Sequence, residues 1–77
     1  MALNVGSQGK AVAQLQEALN DRGFDVGDVD GKFGPLTEAG VRAFQEAQGM
    51  GADGVVGDMT WRALGLPGSV PHAVIMD

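Results

Sequence analysis

Apolar residues recur at helical spacing along three stretches of the chain. In residues 7–22 they are separated by three and four positions, which is the stripe of an amphipathic helix. The predicted inward positions are Val12, Leu15 and Leu19. Ser7 occupies the place of an N-cap, and Gly23 the place of a residue that ends a helix in a left-handed conformation. We therefore expect the first helix to lie between Ser7 and Gly23.

Two further helices follow from the same pattern. Proline is favoured at the first helical position, where its missing N–H leaves no hydrogen bond unmade, so Pro35 opens the second helix and Gly49 ends it. Its small and apolar residues at helical spacing are Leu36, Gly40, Val41, Phe44 and Ala47. A shorter third helix is predicted from Asp58 to Leu64, with Met59 and Leu64 facing inward. The chain is therefore expected to be all-α.

The connections between these helices share the form Asp-Gly-x-apolar-Gly, at residues 30–34 and 53–57. In each, Asp-Gly supplies a turn and the apolar residue is expected to lie under the helices, so Phe33 is predicted to be buried. The equivalence extends to both sides. Asp30, Gly31, Gly34 and Thr37 align with Asp53, Gly54, Gly57 and Thr60, and Val12, Leu15 and Gln16 align with Val41, Phe44 and Gln45. The offsets are 23 residues (53 − 30) and 29 residues (45 − 16), so the second connection is shorter by six.

This imperfect tandem repeat predicts the architecture. Half-units of this kind bury their apolar faces only by stacking, so we expect a compact three-helix bundle with internal pseudo-symmetry. A chain of 77 residues forms one small domain and buries only about 60% of its surface. The domain is predicted to cover residues 1–66. Residues 67–77, which begin Pro-Gly-Ser, have the composition of a linker or tail.

Composition excludes several classes of function. The chain has no cysteine, so disulfides, cysteine-based zinc sites and thiol catalysis are absent. The net charge is −5 with only five basic residues, so neither nucleic acid nor an anionic membrane is an expected partner. The first four residues lack the basic start and apolar stretch of a signal peptide, and we expect no export signal in this chain.

Candidate catalytic and metal-binding groups are sparse. The single histidine, His72, directly follows Pro71 in the tail, and Ser7 and Ser69 have no base nearby in the pattern. Asp25, Asp28 and Asp30 precede Gly31, but an EF-hand register would place Val26 and Thr37 at its first and last ligand positions. We therefore predict turn-forming aspartates, no metal, no cofactor and no intrinsic enzymatic activity.

The motifs, taken together, resemble a known family. Val5-Gly6-Ser7-x-Gly9-x-x-Val12-x-x-Leu15-Gln16-x-x-Leu19, followed by the two Asp-Gly turns and by Thr60-Trp61-x-x-Leu64, is similar to bacterial and phage peptidoglycan-binding domains of the three-helix type. The resemblance covers residues 3–66. One departure is Gly40, where the family pattern has an alanine-like residue. A glycine inside a helix costs about 1 kcal/mol relative to alanine, so Gly40 either allows a close helix crossing or is a local weakness.

The resemblance implies a non-catalytic module that binds the stem peptide or glycan of bacterial peptidoglycan. Such a module would act as a monomer in the cell wall or periplasm and anchor an attached hydrolase, for example in a phage endolysin. The alternative is a structural or assembly module of a virion or cell surface that uses the fold for protein–protein contact. An inhibitory prosegment of a protease is a third, weaker hypothesis.

A binding groove is expected where the Asp-Gly loops approach the second and third helices. The candidate ligand-binding residues are Asp30, Gly31, Gln45, Asp53, Thr60, Trp61 and Arg62. Trp61 is either a stacking platform for a sugar ring or, as we favour, a core residue. Gln16 and Gln45 either bind wall amides or, as we favour, hold the Asp-Gly turns. Arg62 either pairs with a wall carboxylate or, as we favour, is a solvated helix residue.

Overall fold

Three helices make up the regular structure of the protein. The computed structural model describes residues 2–65, and within them α1 spans Lys10–Asp21, α2 spans Pro35–Ala47 and α3 spans Asp58–Leu64. The predicted all-α, three-helix fold is confirmed. The predicted tail at 67–77, with Ser69 and His72, lies outside the described residues. None of the helices described has the length and apolar character needed to cross a membrane.

The predicted ends of the helices are largely correct, and the predicted start of α1 is wrong. Pro35 is at the start of α2, and Gly23 and Gly49 follow their helices with φ of 88° and 77°. Ser7, however, is not an N-cap, because α1 begins at Lys10 and Gly9 holds the cap position without a side-chain cap. The Ser7 hydroxyl instead accepts a hydrogen bond from the Asn4 amide at 3.2 Å, and so belongs to the segment before the helix.

That N-terminal segment pairs with both Asp-Gly loops. The Leu3 amide donates to the Val56 carbonyl at 3.0 Å, and the Val56 amide donates back to Leu3 at 2.8 Å. In the same way Phe33 donates to the Ser7 carbonyl at 2.9 Å and accepts from the Gly6 amide at 3.0 Å. Phe33 and Val56 are repeat-equivalent, so one short N-terminal segment, which turns at residues 5–6, holds the same backbone position of both halves.

The core lies between the helices and these loops. Its buried apolar members are Leu3, Val12, Leu15, Leu19, Val26, Phe33, Val41, Phe44, Val56, Trp61 and Leu64. The expected burial of Phe33 and Leu64 is therefore confirmed. Phe24 is half-buried, with its ring edge-on to Phe44 at a centroid distance of 5.7 Å.

The expectation that Met59 faces inward is wrong, and Leu36 likewise points outward. Met59 is 69% exposed and Leu36 is 65% exposed. Each is the second residue of its helix and precedes a buried threonine, Thr60 or Thr37. Successive helical residues are rotated by about 100°, so with the threonine turned inward the preceding apolar side chain lies outside the core.

Gly40 allows a close approach, chiefly of the connection between α1 and α2, with the Leu19 side chain of α1 also in contact range. A Cβ on Gly40 would collide with Cγ1 of Val26, which belongs to the connection between α1 and α2. Asn20 holds this connection in place: its Oδ1 accepts from the Val26 amide at 2.8 Å, and its Nδ2 donates to the Gly27 carbonyl at 3.1 Å. The first connection, residues 22–34, is three residues longer than the second, residues 48–57 (13 − 10), and it places Val26 in the space that the glycine leaves open.

Candidate functional site

A buried glutamine organises the first Asp-Gly turn. The two N–H groups of the Gln16 amide nitrogen are shared among three acceptors, with N···O distances of 3.0 Å to Asp30 Oδ1, 2.9 Å to the Lys32 carbonyl and 3.0 Å to the Thr37 hydroxyl. Its Oε1 accepts from the Gly31 amide at 2.9 Å. With four polar partners and 1% exposure, the side chain holds the turn against the start of α2.

Gln45 makes the same set of contacts in the second half. Its two amide N–H groups are shared among Asp53 Oδ1 at 3.2 Å, the Val55 carbonyl at 2.9 Å and the Thr60 hydroxyl at 3.3 Å. Its Oε1 accepts from the Gly54 amide at 3.0 Å. The favoured structural role of both glutamines is confirmed, and the amide groups of Gln16 and Gln45 are already engaged within the protein.

Each turn also depends on its aspartate and glycine. Asp30 Oδ1 accepts from the Lys32 amide, and Asp53 Oδ1 accepts from the Val55 amide, both at 2.9 Å. The glycines that follow, Gly31 and Gly54, have φ of 75° and 76°, a region that favours glycine. Asp25 makes a similar local bond to the Gly27 amide, as expected of a turn-forming aspartate.

These hydrogen bonds favour the charged form of the two turn aspartates. The Lys32 amide, followed by the Gln16 side chain, lowers the pKa of Asp30 below its ordinary 3.8. The Val55 amide lowers the pKa of Asp53 in the same way, with a smaller contribution from Gln45. Both carboxylates are exposed and remain charged at neutral pH.

A shallow cleft lies beside each turn. The first cleft has a volume of about 260 Å³ and the second about 380 Å³. Seven lining positions are repeat-equivalent: Gln16 and Gln45, Asp30 and Asp53, Lys32 and Val55, Gly34 and Gly57, Pro35 and Asp58, Leu36 and Met59, Thr37 and Thr60. Met50 also lines the second cleft, where its sulfur accepts a hydrogen bond from Thr60 at 3.6 Å.

The predicted site residues are divided among these clefts. Gln45, Asp53 and Thr60 line the second cleft, whereas Asp30 lines the first. Asp30 and Gly31 also border a third cleft of about 400 Å³ beside Lys10. Arg62 is exposed and lines none of these three clefts.

Trp61 is 2% exposed, which confirms its favoured assignment to the core. A ring that is buried in this way has no free face on which a sugar could stack. The stacking hypothesis for Trp61 is therefore wrong for this conformation.

Sequence reasoning missed the apolar rim of both clefts. Leu36 and Met59 are exposed, lie at the same repeat position, and line the first and second cleft. The signal was present in the repeat, since 59 and 36 differ by the same 23 residues as the two Asp-Gly turns. Helical spacing alone assigned both side chains to the core.

The fold and its clefts define a small binding module in which two helical half-units each carry a rigid turn. Residues 8–64 match the family described as putative peptidoglycan binding domain, and the chain belongs to this family. The resemblance inferred from the motifs is thereby confirmed.

Similar proteins include cell-wall enzymes. The chain is 41% identical over 71 residues to the N-acetylmuramoyl-L-alanine amidase CwlM of Mycobacterium tuberculosis, covering 86% of this chain and 18% of that protein. The SleB N-terminal domain superimposes with a TM-score of 0.81 at 39% identity, covering 83% of this chain and 88% of that one. The Burkholderia AP3 phage endolysin gives a TM-score of 0.79 at 38% identity, covering 83% of this chain and 24% of that one.

The relatives are longer than this chain. It spans 53% of an uncharacterised protein of Kitasatospora aureofaciens to which it is 44% identical. It spans 25% of the zinc D-Ala-D-Ala carboxypeptidase of Streptomyces albus G, at 42% identity over 65 residues. The similarity is therefore to a module within larger proteins.

Proposed function

We propose that this chain is a non-catalytic module that binds bacterial peptidoglycan through the second cleft and anchors an attached cell-wall hydrolase. The main evidence for this site is that an exposed thioether, Met59, and an exposed carboxylate, Asp53, line the same cleft. The Gln45 hydrogen bonds fix the floor beneath them, so a ligand meets a surface that is already ordered.

The stem peptide is the part of the wall that suits this surface. Sugar rings are bound most effectively on exposed aromatic faces, and the chain has only three phenylalanines and one tryptophan. Three of these four rings are buried, and Phe24 is half-buried against Phe44. A stem peptide offers methyl groups for Met59 and an amino group for the Asp53 carboxylate.

The carboxylates support binding rather than catalysis. A general acid at neutral pH needs a raised pKa. The Lys32 and Val55 amides instead lower the pKa values of Asp30 and Asp53. Ser7 accepts the Asn4 amide in an exposed turn, so its contact is to backbone rather than to a base. The chemistry is assigned to the attached domain.

Anchoring explains why a modest cleft is sufficient. The relatives include an amidase, a carboxypeptidase and a spore cortex-lytic enzyme. The region that matches this chain makes up 18%, 25% and 23% of their respective lengths. A module tethered to such an enzyme raises the enzyme's effective concentration on the polymer, even with weak binding of its own. We place its site of action in the bacterial cell wall or periplasm, and a phage endolysin is one parent of this kind.

Sedimentation with purified insoluble peptidoglycan tests the proposal. The wild-type domain is expected in the pellet, Met59→Ser should shift it to the supernatant, and the control Val5→Ser, at a 53% exposed site outside the clefts, should not. Soluble stem peptide should release the bound domain, whereas peptide-free glycan strands should not. A wild-type domain that stays in the supernatant would overturn wall binding, and a Met59→Ser variant that pellets normally would overturn the assignment to the second cleft.

A further inference from the structure

We infer that the first cleft is a second subsite for the stem peptide, so that one domain binds two peptide units of the wall polymer. This inference rests on the proposed function. It starts from the two clefts, which share seven repeat-equivalent lining positions and the same glutamine-centred hydrogen bonds.

Most of this equivalence has a structural explanation. Gln16 and Gln45 each bind an aspartate, a threonine and two backbone groups, and these bonds fix the turns on which the core depends. A fold built by duplication would keep these residues in both halves whether or not either half binds a ligand. They are therefore not the observation that carries the inference.

The exposed apolar rim has no such explanation. Leu36 and Met59 are 65% and 69% exposed at the same repeat position, so neither is needed to fill the core. Isolated exposed apolar residues are common on protein surfaces. Here, however, two large side chains stand at the same rim position of two equivalent clefts. Binding of a ligand explains the exposure of both side chains, because each would pack against the apolar part of a stem peptide in its cleft.

The two subsites differ in charge and volume. Lys32 lines the first cleft where Val55 lines the second, and Pro35 stands where the second cleft has Asp58. The Lys32 ammonium gives the first cleft a partner for a ligand carboxylate. The second cleft has no lysine or arginine among its lining residues and is larger, at about 380 Å³ against 260 Å³. Asp28 and Asp30 also line the first cleft, so Lys32 makes its lining less negative than that of the second cleft, which has Asp53 and Asp58. The first subsite therefore accommodates a carboxylate of the stem peptide better than the second, and the second suits an amino-bearing portion.

Titration of the isotope-labelled domain with a soluble muropeptide, one disaccharide carrying its stem peptide, tests the inference. We expect two muropeptides per domain and amide shifts around both Asp-Gly turns. Leu36→Ser should remove the shifts around Gly31 and reduce the stoichiometry to one, and Met59→Ser should do the same around Gly54. Lys32→Gln should weaken only the first subsite, and Val5→Ser should change neither.

Binding to the insoluble polymer supplies an independent readout. If both subsites engage one polymer, loss of either one should weaken apparent affinity by about 100-fold, the lower end of the gain from linked sites. A wild-type stoichiometry of one, or a Leu36→Ser variant that binds muropeptide and polymer like the wild type, overturns the second subsite while leaving wall binding intact. A wild-type domain that fails to pellet overturns the proposed function itself. Equal thermal midpoints for all variants establish that these changes do not arise from unfolding.

Discussion

The side chain of Val26 occupies the space that a Cβ on Gly40 would need. Val26 is 3% exposed and β-branched, so it has little freedom to move away. Gly40→Ala should therefore destabilise the domain by about 1 kcal/mol, because overpacking of 1–3 kcal/mol outweighs the ~1 kcal/mol gain in helix propensity. Urea denaturation measures the change.

A double-mutant cycle isolates the cause. Val26→Ala alone loses buried contacts, but in a Gly40→Ala background it also removes the collision. The double variant should be more stable than the sum of the two single effects predicts. Strict additivity would mean that the two residues are not coupled in this way.

The buried amide of Gln45 should be among the most sensitive positions in the domain. Gln45→Ala removes the acceptor of the Gly54 amide and leaves a cavity, at an expected cost of about 2–4 kcal/mol. Glu46→Ala, at the adjacent exposed position, should stay within about 0.5 kcal/mol of the wild type. Thermal or chemical denaturation of both variants makes the comparison, and a Gln45→Ala domain as stable as Glu46→Ala would contradict the structural role.

Removal of the Phe33 ring tests the burial of the first loop. Phe33→Ala should cost about 3–5 kcal/mol, enough to unfold a small domain at moderate temperature. Leu36→Ala, three residues along the chain and 65% exposed, is the matched apolar control and should stay within about 0.5 kcal/mol. Circular dichroism at increasing temperature distinguishes the two, and a native-like Phe33→Ala domain would contradict the assigned core.

Acid should destabilise the fold through the turn aspartates. Hydrogen bonds lower the folded-state pKa of Asp30 and of Asp53, so the stability they contribute is fully present above the unfolded value of about 3.9. It is lost as the pH falls from there through the lowered folded-state pKa values. The double variant Asp30→Asn/Asp53→Asn should therefore show a flatter decline in stability below about pH 4.

The pH experiment needs a control for net charge. The double variant Glu17→Gln/Glu46→Gln removes two charges, as the test variant does, from exposed positions of α1 and α2 outside both turns. Comparing denaturation midpoints of the variants between about pH 2 and 6 subtracts the general effect of charge. Parallel curves for the wild type and the Asp30→Asn/Asp53→Asn variant would show that the turn carboxylates do not contribute.

The repeat made much of this structure predictable. Constant offsets placed Gln16 and Gln45 beside equivalent Asp-Gly turns, and a polar amide next to an inward-facing residue has few partners other than the loop backbone. The burial of Phe33 was predicted because its neighbouring glycines have no side chains to shield it from water. An apolar residue in such a turn is shielded only by packing under the helices. These predictions depended on local contacts. Aligning the two halves of the chain identified the residues that make them.

Other features depended on contacts that no local pattern contains. Serine is favoured at N-caps, but the segment that contains Ser7 pairs with Phe33 and Val56, and α1 begins only at Lys10. Met59 and Leu36 match a helical stripe, but the buried threonines beside them set the rotation of each helix. The predicted site residues are divided between clefts that lie beside two separate Asp-Gly turns, so the candidate site was only partly accessible from sequence.

The pairing of Leu3 with Val56 links positions 53 residues apart (56 − 3), which has a consequence for biosynthesis. On a ribosome, Leu3 emerges early and has no backbone partner until the second Asp-Gly loop has been translated. The first half-unit alone leaves Leu3 and the inner face of α1 exposed to solvent, so folding must wait for nearly the whole domain. A nascent chain arrested before Val56 should therefore be digested by protease far faster than one arrested after α3 has cleared the exit tunnel.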